Sequence, residues 1–221
     1  MTRETQRPLR ADAERNRRLI MQTADRMFAQ RGSAVTLNEI AREAGIGVGT
    51  VYRRFPDLQS LIDALFTERF TTFLDLATAA EQRSDPGQAL RHYLLEAARW
   101  RAQDRALDVV LAGASIDTKA IAEMRDDLGR HVDGLVARAV AAGAVREDFA
   151  SADVYAFLYM IGAVVDRTYD VAPDAWRRYA EVVLLGFGLA RGPAVHTTAM
   201  TDGQIRRTWP SPPKHQLGGA S

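Results

Sequence analysis

Residues 45–57 read GIGVGTVYRRFPD, and this stretch places three glycines, Gly45, Gly47 and Gly49, directly before a tyrosine and two arginines. Glycine suits a backbone that turns sharply or comes close to another surface, whereas tyrosine and arginine offer a phenol and cationic guanidinium groups. The combination indicates a surface that binds an anionic partner. A plain surface loop could have the same composition, so the flanking sequence has to decide.

The segment just upstream, VTLNEIAREAG at 35–45, has the pattern of a short helix. Thr36 and Glu39 have the T-x-x-E spacing of a capping box, and Val35 and Ile40 occupy the positions of a hydrophobic staple around it. Gly45 suits the left-handed residue that ends a helix. We therefore expect a helix of about two turns, beginning at Thr36 and ending before Gly45.

A second short helix is predicted for residues 48–54, and Phe55-Pro56 closes it because proline disfavours helical geometry in the preceding residue. Two short helices joined by a glycine-containing turn form a helix-turn-helix. The second helix of this motif enters the DNA major groove through its N-terminal end. Gly47 and Gly49 would then allow the backbone to approach DNA closely.

The remaining chain is predicted to be all-α, because no segment shows convincing strand alternation. A first helix at about 15–31 should stop at Gly32, and Asp57 can cap the helix that follows the helix-turn-helix. We expect a flexible arm, a DNA-binding domain, a helical body and a disordered tail, at residues 1–14, 15–56, 57–191 and 192–221. The helices predicted for the body span residues 57–80, 86–103, 105–113 and 117–142, followed by two that are apolar on nearly all sides, in 153–169 and 175–190.

Composition restricts the function classes that remain. With 47% hydrophobic residues the chain can bury a sizeable core, and with no cysteine it lacks disulfides, thiol nucleophiles and cysteine-ligated zinc. The N-terminal segment has no secretory pattern and no apolar run reaches membrane-span length, so we expect a soluble, cytoplasmic protein. The four histidines lack metal-ligand or nucleophile spacing, so we expect no enzyme, no metal and no cofactor.

Charge is distributed unevenly along the chain, although the net charge is only +1. Residues 1–60 hold 11 arginines against 7 acidic residues, whereas residues 61–191 hold 15 basic and 20 acidic residues. A basic head on an acidic body is what a DNA-binding domain joined to a different kind of domain would show. A chance difference remains the alternative.

The two final helices of the body are apolar around most of their circumference, and such helices must be buried on several sides. A chain of this size can cover one side, so we expect a second copy to cover the other and the protein to be a homodimer. Burial within one subunit is the alternative. The predicted interface residues are Phe157, Ile161, Val165, Tyr179, Val183 and Phe187.

The run TLNEIAREAGIGVGTVYRRFPDLQSLIDAL, with a helix ahead of it and a helical remainder behind, resembles the TetR family of bacterial transcriptional regulators. The resemblance implies a homodimeric repressor that binds a near-palindromic operator and is released by a small molecule. A DNA-binding regulator that senses no ligand and responds to a partner protein is the alternative.

Carried over by position, the resemblance implies phosphate contacts at Thr36, Tyr52 and Arg54. It implies base-edge contacts at or near Val48, Gly49, Thr50 and Arg53. Leu58 departs from the pattern, because the family usually has a lysine there that touches the DNA backbone. Arg54 or the N-terminal arm could compensate for this missing contact.

The resemblance also implies a largely apolar effector pocket between helices four to seven. Its candidate lining residues are aromatic or apolar except for one histidine: Phe66, Phe70, Phe73, Tyr93, Trp100, Met124, Leu128 and His131. Most of them must also serve as core. His131 lies at the inward edge of its helix, where it could bind a ligand, and solvent exposure is the alternative.

Overall fold

The computed structural model describes residues 6–31, 34–103, 119–189 and 199–208. These residues are helical with connecting turns and contain no strand, which confirms the all-α prediction. The helix predicted at 105–113 lies outside the described residues, and so does Gly32, at which the first helix was expected to stop. The helices are α1 Gln6–Arg31, α2 Leu37–Ala44, α3 Val48–Arg54, α4 Leu58–Glu81, α5 Pro86–Gln103, α6 Lys119–Ala141, α7 Ser151–Thr168, α8 Ala175–Gly186 and α9 Asp202–Thr208.

Helix α1 is longer than predicted, because it begins at Gln6 and so includes residues 6–14, for which the sequence predicts a flexible arm. Proline is tolerated in the first helical turn, and arginine, alanine and glutamate are good helix formers, so nothing in this segment stops the helix. Exposed ion pairs follow the helical spacing, from Arg15 to Asp12 and from Arg18 to Glu14. Residues 1–5 lie outside the described part of the chain.

Helix α2 has the predicted caps at both ends. The amide of Glu39 donates to Thr36 Oγ1 at 3.3 Å and the amide of Thr36 donates to Glu39 Oε2 at 2.9 Å, which completes the capping box. Gly45 adopts a left-handed conformation with φ 65°, and its amide donates to the carbonyls of Ala41 and Arg42. The helix-turn-helix therefore begins and turns at the residues that the sequence indicated.

The first compact unit consists of residues within 1–75 and 104–131. Its core joins α1 to α3 with the first half of α4, through side chains such as Ile20, Ile40, Val51 and Phe66, and it includes Ile121 of α6. The predicted domain boundary at residue 57 does not follow this packing. The apolar stripe of α4 is buried in the same core as the helix-turn-helix, so the unit continues into α4.

The second unit consists of residues within 76–103 and 132–221, and its centre is the packing of α5 and α8 against α7. Arg91 of α5 and Glu181 of α8 form a forked ion pair with both distances at 2.8 Å. The ring of Phe187 meets that of Phe149 edge-on, with 5.0 Å between centroids. Gly143, left-handed at φ 64°, follows the end of α6 as predicted.

The predicted dimer-interface residues of α7 point inward. Phe157, Ile161 and Val165 are at most 2% exposed within one chain, so they have no surface left for a second copy. Phe187 packs against Phe149 and Phe157, while Tyr179 and Val183 stay partly exposed. The error arises because a helix that is apolar on all sides does not reveal which side faces its own core. The exposed large apolar side chains of these helices are Tyr155, Tyr159, Met160, Val182 and Leu185.

The segment predicted as a disordered tail contains helix α9 within its described residues, 199–208. Thr201 and Gln204 form reciprocal hydrogen bonds in the manner of a capping box, with Gln204 Oε1 2.9 Å from the Thr201 amide. This local cap accounts for a short helix in a segment whose composition suggests none. The rest of residues 192–221 lies outside the described residues.

We expect alanine to have opposite effects on stability at two glycines, Gly45 and Gly49, where an added Cβ would face open space in both cases. A Cβ added at Gly45 or at Gly49 meets nothing within 4 Å, and only Gly45 is left-handed. Gly45→Ala should lower the free energy of unfolding by about 1–2 kcal/mol, because the left-handed conformation brings a Cβ too close to the carbonyl oxygen that follows it in the same backbone. Gly49→Ala should raise it by about 0.5–1 kcal/mol, because alanine favours the helix. Denaturant titrations of both variants measure the difference, and equal effects would contradict the assigned cap.

Candidate nucleic-acid interface

Two residues, Val51 and Phe55, anchor helix α3 in the core of the first unit. Val51, in its middle, is fully buried, and Phe55, directly after it, is 3% exposed. The amide of Phe55 donates to the carbonyl of Val51 at 2.8 Å and so closes the helix at the predicted residue. The remaining α3 residues are left on the surface around these two anchors.

The predicted DNA-contacting side chains of α3 lie on its outer surface. Val48 and Tyr52 are 45% and 43% exposed, and they stand four residues apart on one face of the helix. Arg53 and Arg54 are exposed as well, and Thr50 is partly exposed. Arg53 Nη2 donates to Thr50 Oγ1 at 3.0 Å, which draws its guanidinium toward the N-terminal half of the helix. The helix thus presents a phenol, a hydroxyl and two cations together.

Among the residues that the structure describes, nothing requires Gly47 or Gly49 to be glycine. Both lie outside the left-handed region, and an added Cβ would meet only Thr50 Oγ1, at 4.0 Å from the one at Gly47. Their exposure and the open space around them are consistent with the predicted close approach of a partner's surface. Gly45, by contrast, is explained by its own backbone conformation.

The charges around α3 are arranged so that its arginines keep their positive charge available. Within the described residues, neither Arg53 nor Arg54 forms an ion pair with a carboxylate. Hydrogen bonds from Thr36 hold the pKa of Glu39 below its usual value, and those from Ser60 do the same for the pKa of Asp57. Both carboxylates therefore serve as helix caps. The surface is suited to binding phosphate.

Thr36 is exposed, but its hydroxyl already donates to Glu39 Oε2 at 2.7 Å. A phosphate contact by this hydroxyl would compete with the cap that starts α2. Leu58 is only partly exposed and packs against the first core. Because its side chain is apolar, it supplies no charge at the start of α4. The phosphate contact of Thr36 stays a prediction, and so does the compensation by Arg54 or the N-terminal arm for the backbone contact that Leu58 cannot make.

The predicted effector-pocket residues are divided between the two units, and the pocket stays a prediction. Six of them belong to the first unit, where Phe66, Phe73 and Leu128 are buried and Phe70, Met124 and His131 are partly exposed. The other two belong to the second unit, where Tyr93 is buried and Trp100 is partly exposed. The Phe66 and Phe70 rings lie 6.4 Å apart, with Phe66 inside the first core. Burial raises the pKa of the Tyr93 phenol well above its usual value, so the phenol stays neutral.

One small cavity of about 160 Å³ lies in the second unit and contains none of the predicted pocket residues. It lies where the start of α5 meets the turn after α6, and its lining residues are Asp85, Pro86, Gly87, Gln88, Ala142, Gly143, Ala144, Gly188 and Leu189. Across the described ranges, no three histidine, aspartate or glutamate side chains are grouped as metal ligands. No described helix combines the length and the apolarity needed to cross a bilayer.

Comparison with known proteins identifies both parts of the chain. Residues 20–65 match the family model for bacterial regulatory proteins of the tetR family, and residues 85–189 match that for the C-terminal domain of SbtR-like transcriptional regulators. An HTH-type transcriptional regulator of Staphylococcus aureus is 37% identical over 67 residues, or 30% of this chain and 36% of its own. The chain thus matches about a third of that curated relative's length.

Two solved structures extend the similarity to most of the chain. A TetR transcription regulatory protein from Mycobacterium vanbaalenii is 36% identical, with a TM-score of 0.52, and the match covers 72% of this chain and 98% of that one. A TetR transcriptional regulator from Streptomyces coelicolor is 26% identical, with a TM-score of 0.53, over 77% of this chain and 97% of that one. Taken with the helix-turn-helix and its exposed cationic helix, these matches show that the chain belongs to the TetR family of bacterial transcriptional regulators.

Proposed function

We propose that this TetR-family regulator is a repressor that binds a near-palindromic operator as a homodimer and is released by a small, largely apolar molecule. The observation that supports the DNA-binding part is the anchoring of α3, which keeps Val51 buried and leaves Tyr52, Arg53 and Arg54 exposed. Two such helices related by a two-fold axis would read half-sites about one helical turn, ~34–36 Å, apart.

Dimerisation through α7 and α8 is supported by the apolar side chains that one chain leaves exposed. Tyr155 and Tyr159 lie one turn apart on α7, and Val182 and Leu185 lie one turn apart on α8, each at least 42% exposed. Exposed apolar residues that lie close together often mark an interaction surface, whereas single exposed apolar residues are ordinary. These residues replace Phe157, Ile161 and Val165 in the proposed interface, and Tyr179 and Val183 remain in it.

Release by a ligand is proposed from the family and from the course of α4. This helix starts at Leu58, four residues after α3 ends, and its residues 58–75 belong to the first unit while residues 76–81 belong to the second. A ligand that favours one position of α4 would therefore act on the element that continues from the DNA-binding helices. The pocket residues predicted from the sequence remain the candidates for its site.

Substitutions on α3 should separate base reading from phosphate binding. Arg53→Ala should reduce the preference for the selected operator by about 1–3 kcal/mol, because a lost base contact penalises the correct sequence most. Tyr52→Phe, which removes one hydroxyl, should weaken binding to operator and unrelated DNA by the same factor. Anisotropy titrations against both duplexes measure the two ratios. If Arg53→Ala weakens both duplexes equally, Arg53 binds phosphate instead.

The dimer proposal predicts that a charge at Tyr159 separates the subunits. Tyr159 is 68% exposed within one chain, so Tyr159→Glu should leave the fold intact. It should weaken the dimer by about 2 kcal/mol or more, about 30-fold, and operator affinity should fall with it. Sedimentation equilibrium measures the change, with Arg125→Glu, at an exposed position of α6, as the charge control. A dimer that survives Tyr159→Glu unchanged would place the interface elsewhere.

Ligand-induced release predicts reciprocal coupling between operator and pocket. An apolar fluorescent dye that occupies the pocket should weaken operator binding by about 5–150-fold, and operator should weaken dye binding by the same factor, as linkage requires. Calorimetric titrations of the dye with and without operator give the second factor. Dye binding that is equally tight in both would favour the alternative in which a partner protein controls the regulator.

A further inference from the structure

Arg17 of α1 lies beside the C-terminal end of α3, in contact with two neutral groups. Its guanidinium carbon is 5.8 Å from the centroid of the Phe55 ring, and its Nη1 is 3.1 Å from Met21 Sδ. Phe55 directly follows the last residue of α3 and is buried. Arg17 itself is partly exposed, so it is not enclosed by the core that buries Phe55.

The neighbouring arginines on α1 are in a different position. Arg15 pairs with Asp12, and Arg18 lies 4.0 Å from Glu14, both pairs being exposed. Within the described residues, Arg17 forms no ion pair with a carboxylate. Arg17, which contacts the end of α3, is thus the one of these three arginines that is not paired with a carboxylate of the described residues.

The surroundings of Arg17 add to the positive charge at this end of α3. Arg54 precedes Phe55 in the chain and is exposed. The nearest acidic residue along that segment, Asp57, accepts hydrogen bonds from the amide and hydroxyl of Ser60. Leu58 packs into the core and brings no charge. A phosphate approaching this end of α3 would meet two cations and a carboxylate already engaged in a cap.

We propose that Arg17 binds a backbone phosphate of DNA beside the C-terminal end of α3, next to the contact expected of Arg54. The proposal rests on the DNA-binding function proposed above. A guanidinium that lies over an aromatic ring is held in place by it, and its remaining N–H groups can bind a phosphate through two parallel hydrogen bonds.

The competing interpretation is that Arg17 only covers Phe55 with its aliphatic stem and plays no part in binding. Salt dependence separates the two, because each phosphate contact releases counterions and makes the plot of log K against log salt steeper by about 0.9. A covering role would change thermal stability and leave that slope unchanged.

The test uses the full-length protein with Arg17→Gln, Arg17→Lys and, as the matched control, Arg18→Gln. Association constants are measured by fluorescence anisotropy over a salt series, on an operator duplex selected from random DNA by the wild-type protein and on an unselected duplex of equal length. Arg17→Gln should make the slope shallower by about 0.9 per protomer on both duplexes. The preference for operator over unselected DNA should not change, Arg17→Lys should restore the slope, and Arg18→Gln should keep it.

Three results would overturn the proposal. An unchanged slope in Arg17→Gln, with or without a lower melting temperature, would assign Arg17 a packing role. An equal loss in Arg18→Gln would show a general effect of charge on α1 rather than a contact at one site. Wild-type protein that selects no operator and shows no salt-dependent binding would remove the proposed DNA-binding function as well, which separates that failure from the first two.

Discussion

The burial of Val51 and Phe55 is the constraint on which the rest of the DNA-binding unit depends. A helix of seven residues is too short to be stable alone, because nucleation is unfavourable and few hydrogen bonds repay it. Helix α3 therefore exists because its inward side chains complete a core that α1, α2 and α4 share. Its outward side chains are not needed to fill this core, so their residue types are free to suit the binding of a partner.

The helix-turn-helix could be predicted to within a residue because its signals are local. The reciprocal bonds of Thr36 and Glu39, the left-handed Gly45 and the break at Phe55-Pro56 each act within a few residues, so the sequence contains the whole interaction. The start of α1 has no such signal, so the sequence predicts it at about residue 15 rather than at Gln6. The packing of α4 does not follow the predicted boundary at residue 57 for a related reason, since a cap at Asp57 marks where a helix begins and says nothing about which core its apolar side joins.

The proposed ligand pocket and the proposed dimer face depend on tertiary packing and could not be located in the same way. Phe66 and Phe157 look alike in the sequence, as large apolar residues at helical spacing, and both turn out to be fully buried. Side chains that fill a core and side chains that line a pocket satisfy the same periodicity. For the dimer face the informative feature is an exposed aromatic such as Tyr159, and exposure becomes visible only after the chain has folded on itself.

The same core limits how regulation can reach DNA. Phe55 and Leu58 pack against one core, and only Pro56 and Asp57 stand between them, with Asp57 fixed to Ser60 as the cap of α4. Farther along α4, the buried Arg69 donates to Asp25 of α1 at 2.6 Å, so α4 is also tied to the first helix. Separating such a pair would leave a buried charge without its carboxylate, which costs several kcal/mol.

Bending α3 away from α4 would therefore open the core, whereas moving the whole unit keeps every one of these contacts. A signal that enters through α4 is thus expected to change operator affinity by repositioning α1 to α3 together, with the reading surface of α3 unchanged.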